Sequence, residues 1–178
     1  MAKFKKVGKR IGINLSMAFA LWVVIVFIIQ LISPNPLIYT MPENCTLNSG
    51  NCVRVDDNGT SYRNNYLITP IINGSSLEVI DVISELIINE RGGKILFYNE
   101  DTNNHTYFLH AKDLTQFFFF PDDLFIQSKC TDDGKNTVVI LQSQSRLGKG
   151  DLGVNFERLS EIILYLENYS WSGDNCTN

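Results

Sequence analysis

The amino-acid sequence predicts an α+β fold: an N-terminal transmembrane helix followed by a curled antiparallel β-sheet with two helices packed on it. Three observations lead to this prediction. Residues 11–32 form an uncharged, apolar stretch. Four candidate strands lie later in the chain, and the short turns between them favour antiparallel pairing. Two segments with apolar residues at helical spacing precede and follow these strands. A chain of 178 residues suits one globular domain.

The N-terminal segment is predicted to anchor the protein in a membrane. Residues 1–10 are a basic tail with five of the 15 Lys and Arg, and the first acidic residue is Glu43. At about 1.5 Å per residue, residues 11–32 extend for about 33 Å as a helix, which is enough to cross a bilayer core. A cleaved signal peptide is the alternative, but its apolar core is normally shorter. We therefore predict a signal anchor over residues 11–33, with the tail cytoplasmic and the body outside the cytoplasm.

The cysteines and glycosylation motifs agree with an extracytoplasmic body. Four cysteines follow the apolar stretch, and an even number suits an oxidising compartment. Of three pairings, close spacing favours Cys45 with Cys52, which leaves Cys130 to pair with Cys176. Six acceptor motifs for N-glycosylation, an excess over chance, begin at Asn44, Asn58, Asn73, Asn104, Asn168 and Asn175.

Composition argues against several classes of function. After the basic tail, ten Lys and Arg face 19 Asp and Glu, so the acidic body is not expected to bind nucleic acid. The sequence contains no motif for a metal centre, a nucleophile elbow or a redox dithiol. We therefore expect no metal and no cofactor, and His110 is expected to be a hydrogen-bonded structural residue. These absences argue against an enzyme.

The elements of the body are predicted in order along the chain. Residues 34–63 are rich in turn-forming residues and are predicted to be a stalk held by the first two cysteines. The globular domain is predicted over residues 64–170, with a tail at 171–178. Residues 66–69 are a candidate strand ended by Pro70. The segment Ser75 to Glu78 fits a capping box for a helix that runs to about Glu90.

The remaining strands are predicted at residues 94–99, 106–111, 116–128 and 137–145. The third of them contains four consecutive phenylalanines, residues 117–120. Core packing is the favoured interpretation of this run, and contact with a ligand or a membrane is the alternative. A loop then leads to the last helix, which is predicted to have Asn155 as N-cap and an apolar stripe formed by Phe156, Leu159, Ile163 and Leu166.

The candidate site lies between the last strand and the last helix, in residues 143–155. Glycines, two cations and a carboxylate there could bind an anion together with the helix N-terminus. The favoured alternative is a structural connector in which Arg146 pairs with Asp151. Asp122 and Asp123 are adjacent on a strand, so their side chains should point to opposite faces. The candidate residues are Arg146, Gly148, Lys149, Asp151, Gly153, Asn155, Asp122 and Asp123.

Several of these segments resemble the domain of unknown function 1499 family of bacteria and plant plastids. The most distinctive motif of this family is matched by seven residues, namely Ser143, Ser145, Arg146, Gly148, Asp151, Gly153 and Asn155. Weaker matches occur in the same order at residues 51–53, 66–70, 107–111 and 120–123. The resemblance covers about residues 51–166. It implies the fold and an anchored or exported location, but no established reaction.

Three hypotheses for the function follow. The first is a membrane-anchored extracytoplasmic domain that binds a small or lipidic ligand or a partner protein without catalysis. The second is a hydrolase-like enzyme that uses Arg146 and Asp151 together with Asp122 and Asp123. The third is a structural surface glycoprotein. A closed apolar cavity would favour the first hypothesis. Convergence of Asp122 or Asp123 on Arg146 and Asp151 in an open cleft would favour the second, and a filled core with acceptor motifs on every face would favour the third.

Overall fold

The apolar N-terminal stretch forms one continuous helix, α1 (Ala2–Ile32), in the computed structural model. The structure describes residues 2–46 and 48–177, with side chains from residue 12 onward. Within α1, residues Gly12–Ile32 are long and apolar enough to cross a membrane, a property that a signal sequence near the N-terminus shares. Their side chains are mostly exposed, as a helix surrounded by lipid would be.

The body is an open, six-stranded antiparallel sheet with two helices, which confirms the predicted α+β class. The strand order is β1-β6-β5-β4-β3, and β2 pairs with the start of β6. The elements are β1 (Cys52–Val55), β2 (Ile71–Ile72), α2 (Ser76–Glu85), a π-helical turn (Leu86–Glu90), β3 (Lys94–Asp101), β4 (Thr106–Leu114), β5 (Pro121–Cys130), β6 (Thr137–Ser145) and α3 (Val154–Asn168).

The core lies between the helices and one face of the sheet. Alternate residues of each central strand point to this face because side chains alternate along a β-strand. Both predicted helical stripes are buried in this core, with Phe156 only partly covered. The main core residues are Leu109, Leu124, Ile126 and Leu141 from the sheet, and Ile80, Ile83, Ile87, Leu159, Ile162 and Leu166 from the helices.

The segment between α1 and β1 covers part of the opposite face. Tyr39 packs edge-on against Phe97 at 5.0 Å between ring centroids. The carbonyl of Pro42 accepts a hydrogen bond from Arg54 on β1. Because both faces are covered, β5 is buried over its first six residues and lacks an alternating exposure pattern.

Helix α2 begins as predicted but with one difference. The Ser75 side chain caps the helix by accepting a hydrogen bond from the Glu78 amide. The Glu78 carboxylate does not return to Ser75; it accepts hydrogen bonds from Ser172. Glu78 therefore fixes the C-terminal segment against α2.

Both disulfides form as predicted. Cys45 is bonded to Cys52, and Cys130 is bonded to Cys176. The second bond joins the end of β5 to the C-terminal segment, whose Cys176 carbonyl accepts two hydrogen bonds from Ser76 at the start of α2.

Two predictions about the first strands are wrong. Residues 66–69 are not a strand, because Asn65 and Tyr66 adopt positive φ angles and Tyr66 is almost fully exposed. The strand near Pro70 is instead the short β2. The segment predicted to be a stalk contains β1, a strand that pairs with β6.

The phenylalanine run does not belong to β5, so the favoured core interpretation is also wrong. Residues 116–120, which we call the phenylalanine loop, form the turn between β4 and β5. Phe117 and Phe119 have φ angles of 70° and 55°, values that exclude an extended strand. Phe117 is 67% exposed, and Phe118 and Phe119 are more than one-third exposed.

Candidate functional site

A buried ion-pair cluster centred on Arg158 lies between α3 and the sheet. The Arg158 guanidinium lies 2.8 Å from a carboxylate oxygen of Asp113 on β4 and 2.8 Å from one of Asp122 on β5. It also donates hydrogen bonds to the side chains of Ser143 and Asn155. All five residues are buried, so each charge depends on the others for solvation.

The register of the β4–β5 hairpin explains the need for this arginine. Asp113 lies directly opposite Asp122, and like charges in such a pair repel each other. Arg158 bridges them, and Arg91 adds a second ion pair to Asp113 at 2.8 Å. Sequence reasoning missed Arg158, Arg91 and Asp113 because it placed Asp113 in a turn. The available signal was an arginine beside the apolar stripe of the last helix.

The two carboxyls of this cluster differ in acidity. Burial favours the neutral form of Asp113, but the ion pairs with Arg158 and Arg91 outweigh it and lower its pKa. For Asp122, burial outweighs the ion pair with Arg158 and raises its pKa. The cluster thus holds one strongly ionised carboxylate beside one that retains its proton more readily.

A second cluster occupies the opposite face of the sheet. His110 Nε2 lies 2.8 Å from Asp123 Oδ1, and an Arg146 nitrogen lies 2.7 Å from the same oxygen. His110 also stacks on Phe125, with 4.6 Å between ring centroids. Burial opposes ionisation of Asp123, but the hydrogen bonds from His110 and Arg146 lower its pKa. His110 is therefore a hydrogen-bonded buried residue, as expected.

Arg146 connects this second cluster to the end of α1. Its guanidinium donates hydrogen bonds to the Asn35 side chain at 2.9 Å and to the Pro34 carbonyl at 3.2 Å. The side chains of Asp122 and Asp123 therefore lie on opposite faces of the sheet, as their adjacent positions predict. Asp122 contacts Arg158 of α3, and Asp123 contacts Arg146, which in turn contacts the chain that leaves α1.

The predicted ion pair between Arg146 and Asp151 is wrong. Asp151 instead accepts hydrogen bonds from the amides of Gly153 and Asn155 at the start of α3. Arg146 points across the sheet to Asp123 because β6 places its side chain on the face opposite α3. Arg63 is the cation near Asp151, at 3.9 Å.

Asn155 is not the N-cap of α3, which is a further correction. Gly153 occupies that position in a left-handed conformation, with φ at 89°. The Asn155 side chain is buried within the first turn and contacts Ser143, Arg158 and the Asn51 carbonyl. Asn155 thus joins α3 to β6 and to the residue before β1.

The other loop residues lie near the surface. Asn51 donates a hydrogen bond to the Gly148 carbonyl, and Gly150 forms a β-bridge with Gly50. Lys149 is exposed. Of the two cations considered for anion binding, Arg146 has its guanidinium bound to Asp123 and is not directed at this loop.

An apolar cavity of about 330 Å³ adjoins this loop. Its walls are formed by the phenylalanine loop and by the residues that follow Arg146. The apolar side chains among them are Phe118, Phe120, Leu147, Leu152 and Val154. Leu152, one of these lining residues, is fully exposed.

A polar cavity of about 460 Å³ lies beside the apolar one. The two share Thr115, Gln116 and Val154 as lining residues. Its charged residues are Glu90, Arg91, Asp113, Glu157, Arg158 and Glu161. Together the cavities offer an apolar compartment next to a charged one, an arrangement that suits an amphiphilic molecule.

The phenylalanine loop packs against α1. The Phe117 carbonyl accepts a hydrogen bond from Trp22 Nε1 at 3.0 Å, and the Phe119 carbonyl accepts one from Gln30. The Trp22 ring lies 6.2 Å from the Phe117 ring and 6.1 Å from the Phe119 ring, measured between centroids. One wall of the apolar cavity is therefore attached to the apolar helix.

The predicted modification and metal sites can also be placed. The acceptor asparagines of all six glycosylation motifs in the body are exposed. Within the part of the chain that the structure describes, no group of three His, Cys, Asp or Glu is arranged to hold a metal ion.

Comparison with known proteins adds one finding to this geometry. The DUF1499 family, described as a protein of unknown function, matches residues 44–166. That range contains the whole sheet, α2, both ion-pair clusters and most of α3. Searches against curated proteins and against solved structures gave no match. Because the family covers well over half of the chain, the protein belongs to the DUF1499 family, and its body is the domain that defines this family.

Proposed function

We propose that this protein is a single-span membrane protein whose extracytoplasmic body binds a lipidic ligand, without catalysis, in the apolar cavity beside residues 146–155. The observation that carries the proposal is the position of this cavity. One wall is the phenylalanine loop, which packs on the apolar helix α1. A ligand that leaves the bilayer along α1 would reach the cavity past the phenylalanine loop.

The membrane arrangement is part of the proposal. The basic tail before α1 favours a cytoplasmic N-terminus, and the two disulfides suit an oxidising compartment for the body. We also propose that the exposed acceptor asparagines carry glycans where the host glycosylates exported proteins.

The contacts of the candidate catalytic residues favour binding over hydrolysis. Asp122 and Asp123 are buried on opposite faces and engaged by arginines. Asp151 caps α3. A hydrolase would need these groups to converge on one substrate, in reach of a single reacting atom.

The proposal can be tested with a phosphatidylcholine that carries a photoreactive diazirine at the end of one acyl chain. The full-length protein would be reconstituted into liposomes with this lipid, irradiated and digested for mass spectrometry. We expect crosslinks within residues 145–154 in addition to those on α1, because an acyl chain in the cavity contacts both Leu147 and Val154.

A matched pair of variants makes this test specific. Leu147→Trp fills the cavity and should reduce labelling of residues 145–154 several-fold. Leu164→Trp places the same ring on the outer side of α3, where Leu164 is 60% exposed, and should leave labelling unchanged. Labelling confined to α1 in the parent protein, or equal labelling in both variants, would refute lipid binding in the cavity.

A further inference from the structure

The phenylalanine loop has the composition and conformation of a membrane-inserting turn. Three of its phenylalanines, Phe117, Phe118 and Phe119, are exposed, and Gln116 is exposed beside them. Two of them adopt positive φ angles, which bulky residues rarely do. This backbone conformation directs the rings outward, whereas an ordinary strand would have buried some of them. Backbone strain of this kind is typical of functional segments.

The depth of the loop follows from its contacts with α1. Trp22 is ten residues before Ile32, the last residue of the helix, and Gln30 is two residues before it. At about 1.5 Å per residue, these contacts lie about 15 Å and about 3 Å below the helix end. If α1 spans the membrane, the loop lies within the hydrocarbon of the extracytoplasmic leaflet, whose thickness is about 15 Å.

The hydrogen bonds of the loop fit an apolar environment. A backbone carbonyl in hydrocarbon needs a partner from the protein itself. Trp22 and Gln30 supply partners for Phe117 and Phe119, while the carbonyls of Thr115, Gln116 and Phe120 are bonded within the loop. The Phe120 amide also donates to the Thr115 hydroxyl. Polar side chains of the apolar helix therefore donate hydrogen bonds to carbonyls of the loop.

The charges nearby lie at the level expected for lipid headgroups. Arg146 contacts Pro34 and Asn35, just after the end of α1. The Arg146 side chain is itself paired with Asp123, at 2.7 Å. A charged pair thus lies at the end of the apolar helix, where a bilayer changes from acyl chains to headgroups.

We infer that the phenylalanine loop is a second membrane contact of this protein and inserts Phe117, Phe118 and Phe119 into the hydrocarbon of the extracytoplasmic leaflet beside α1. The partner is the acyl region of the bilayer. The inference rests on the membrane span of the proposed function but not on lipid binding in the cavity.

Tryptophan quenching by brominated lipids tests the inference in the full-length protein. The chain has two tryptophans, Trp22 and Trp171, so W22H/W171F gives a tryptophan-free background in which the histidine keeps a ring N–H donor for the Phe117 carbonyl. In this background, Phe117→Trp places a probe on the loop at a residue that does not line the apolar cavity. Tyr66→Trp places a control probe at a residue that is 98% exposed on the body. A third protein, W171F, reports on α1 through Trp22.

In liposomes of dibrominated phosphatidylcholine, we expect the Phe117→Trp probe to be quenched at least threefold more strongly than the Tyr66→Trp probe. Quenching of Trp22 with no excess quenching at position 117 would overturn the inference while leaving the membrane span intact. Absence of quenching at both positions 22 and 117 would overturn the inference and the proposed membrane span together. Circular dichroism of each variant in liposomes would identify a probe that disturbs the fold, and Phe119→Trp is the replacement probe in that case.

Discussion

Two neighbouring aspartates, Asp122 and Asp123, determine much of the electrostatics of the body. Asp122 is paired with Arg158 on the side of the helices, and Asp123 is paired with His110 and Arg146 on the side of α1. Each lies in an interior where removal of one partner leaves the other charge uncompensated. The two clusters should therefore respond separately to mutation.

The pairing of Arg146 can be tested by a double-mutant cycle. We expect Arg146→Ala and Asp123→Ala each to lower the free energy of unfolding by about 3 kcal/mol, because each strands a buried partner. The double variant should lose less than the sum by about 1–3 kcal/mol. Denaturant titration of the full-length protein in detergent measures all of these values.

Two further variants serve as controls for this cycle. Asp151→Ala should cost about 1 kcal/mol through the loss of a helix cap and should add to Arg146→Ala. Lys149→Ala, at an exposed position of the same loop, should stay within about 0.5 kcal/mol of the parent. Coupling of Arg146 to Asp151 in place of Asp123 would contradict the pairing described here.

The pH dependence of stability should differ between the two clusters. The folded-state pKa of Asp123 is lowered, so its contribution is present above the unfolded pKa of about 3.9 and is lost as the pH falls through the folded value. The folded-state pKa of Asp122 is raised, so its contribution is present below about 3.9 and is lost as the pH rises through the folded value.

Two isosteric variants should separate these effects. Asp123→Asn should flatten the loss of stability below about pH 4. Asp122→Asn should increase the difference in stability between pH 7 and about pH 4. The measurement is the free energy of unfolding of the parent and both variants across this pH range. If both substitutions altered its pH dependence in the same direction, the prediction would be wrong.

At the scale of elements, the start of α3 depends on Gly153 more than on Gly150. Gly153 has φ at 89°, in the left-handed region. Gly150 lacks a positive φ angle, and a Cβ atom there would meet nothing within 4 Å. The same substitution should therefore have different effects at the two positions.

We expect Gly153→Ala to lower the free energy of unfolding by about 1–2 kcal/mol, because an L-residue is strained in this conformation. Gly150→Ala should change it by less than about 0.5 kcal/mol. Thermal unfolding followed by circular dichroism compares the two variants directly. Similar melting temperatures for both would indicate that α3 starts differently from the arrangement described.

At the scale of the whole molecule, the central feature is the relation between α1 and the body. In the apolar helix, the side chains of Trp22, Val26, Ile29 and Gln30 are at least partly covered, as is Ser33 just after it, while the other residues from Gly12 to Ile32 are exposed. The upper part of the helix is therefore both a candidate membrane anchor and a packing surface for the domain.

Glycosylation in a eukaryotic microsomal system tests this topology with an internal control. The sequence contains a seventh acceptor motif at Asn14, within α1. If α1 spans the membrane and the body is lumenal, glycopeptide mass spectrometry should find glycans at exposed asparagines such as Asn58 and Asn104 but not at Asn14. The reverse orientation would give two results together. The asparagines of the body would stay unmodified, and protease added on the cytosolic side would digest the body.

Local sequence patterns were sufficient to predict much of the architecture. The apolar helix, the stripes of α2 and α3, the antiparallel hairpins and the Cys45–Cys52 bond depend on composition, periodicity and spacing, which are properties of nearby residues. The Cys130–Cys176 bond, between residues 46 positions apart, followed because these were the two cysteines left. The adjacency of Asp122 and Asp123 likewise predicted their opposite faces, because the pleat of a strand alternates side chains regardless of context.

Only the tertiary structure decided which distant groups meet. Arg146 pairs with Asp123 and Arg158 with Asp113 because the strand register and the packing of α3 bring them together, and neither is a local property. The phenylalanine run was misplaced for the same reason, since its apolar character fits a core as well as a membrane. Its position beside Trp22 depends on how α1 packs on the body, and that packing depends on contacts between residues about a hundred positions apart in the chain.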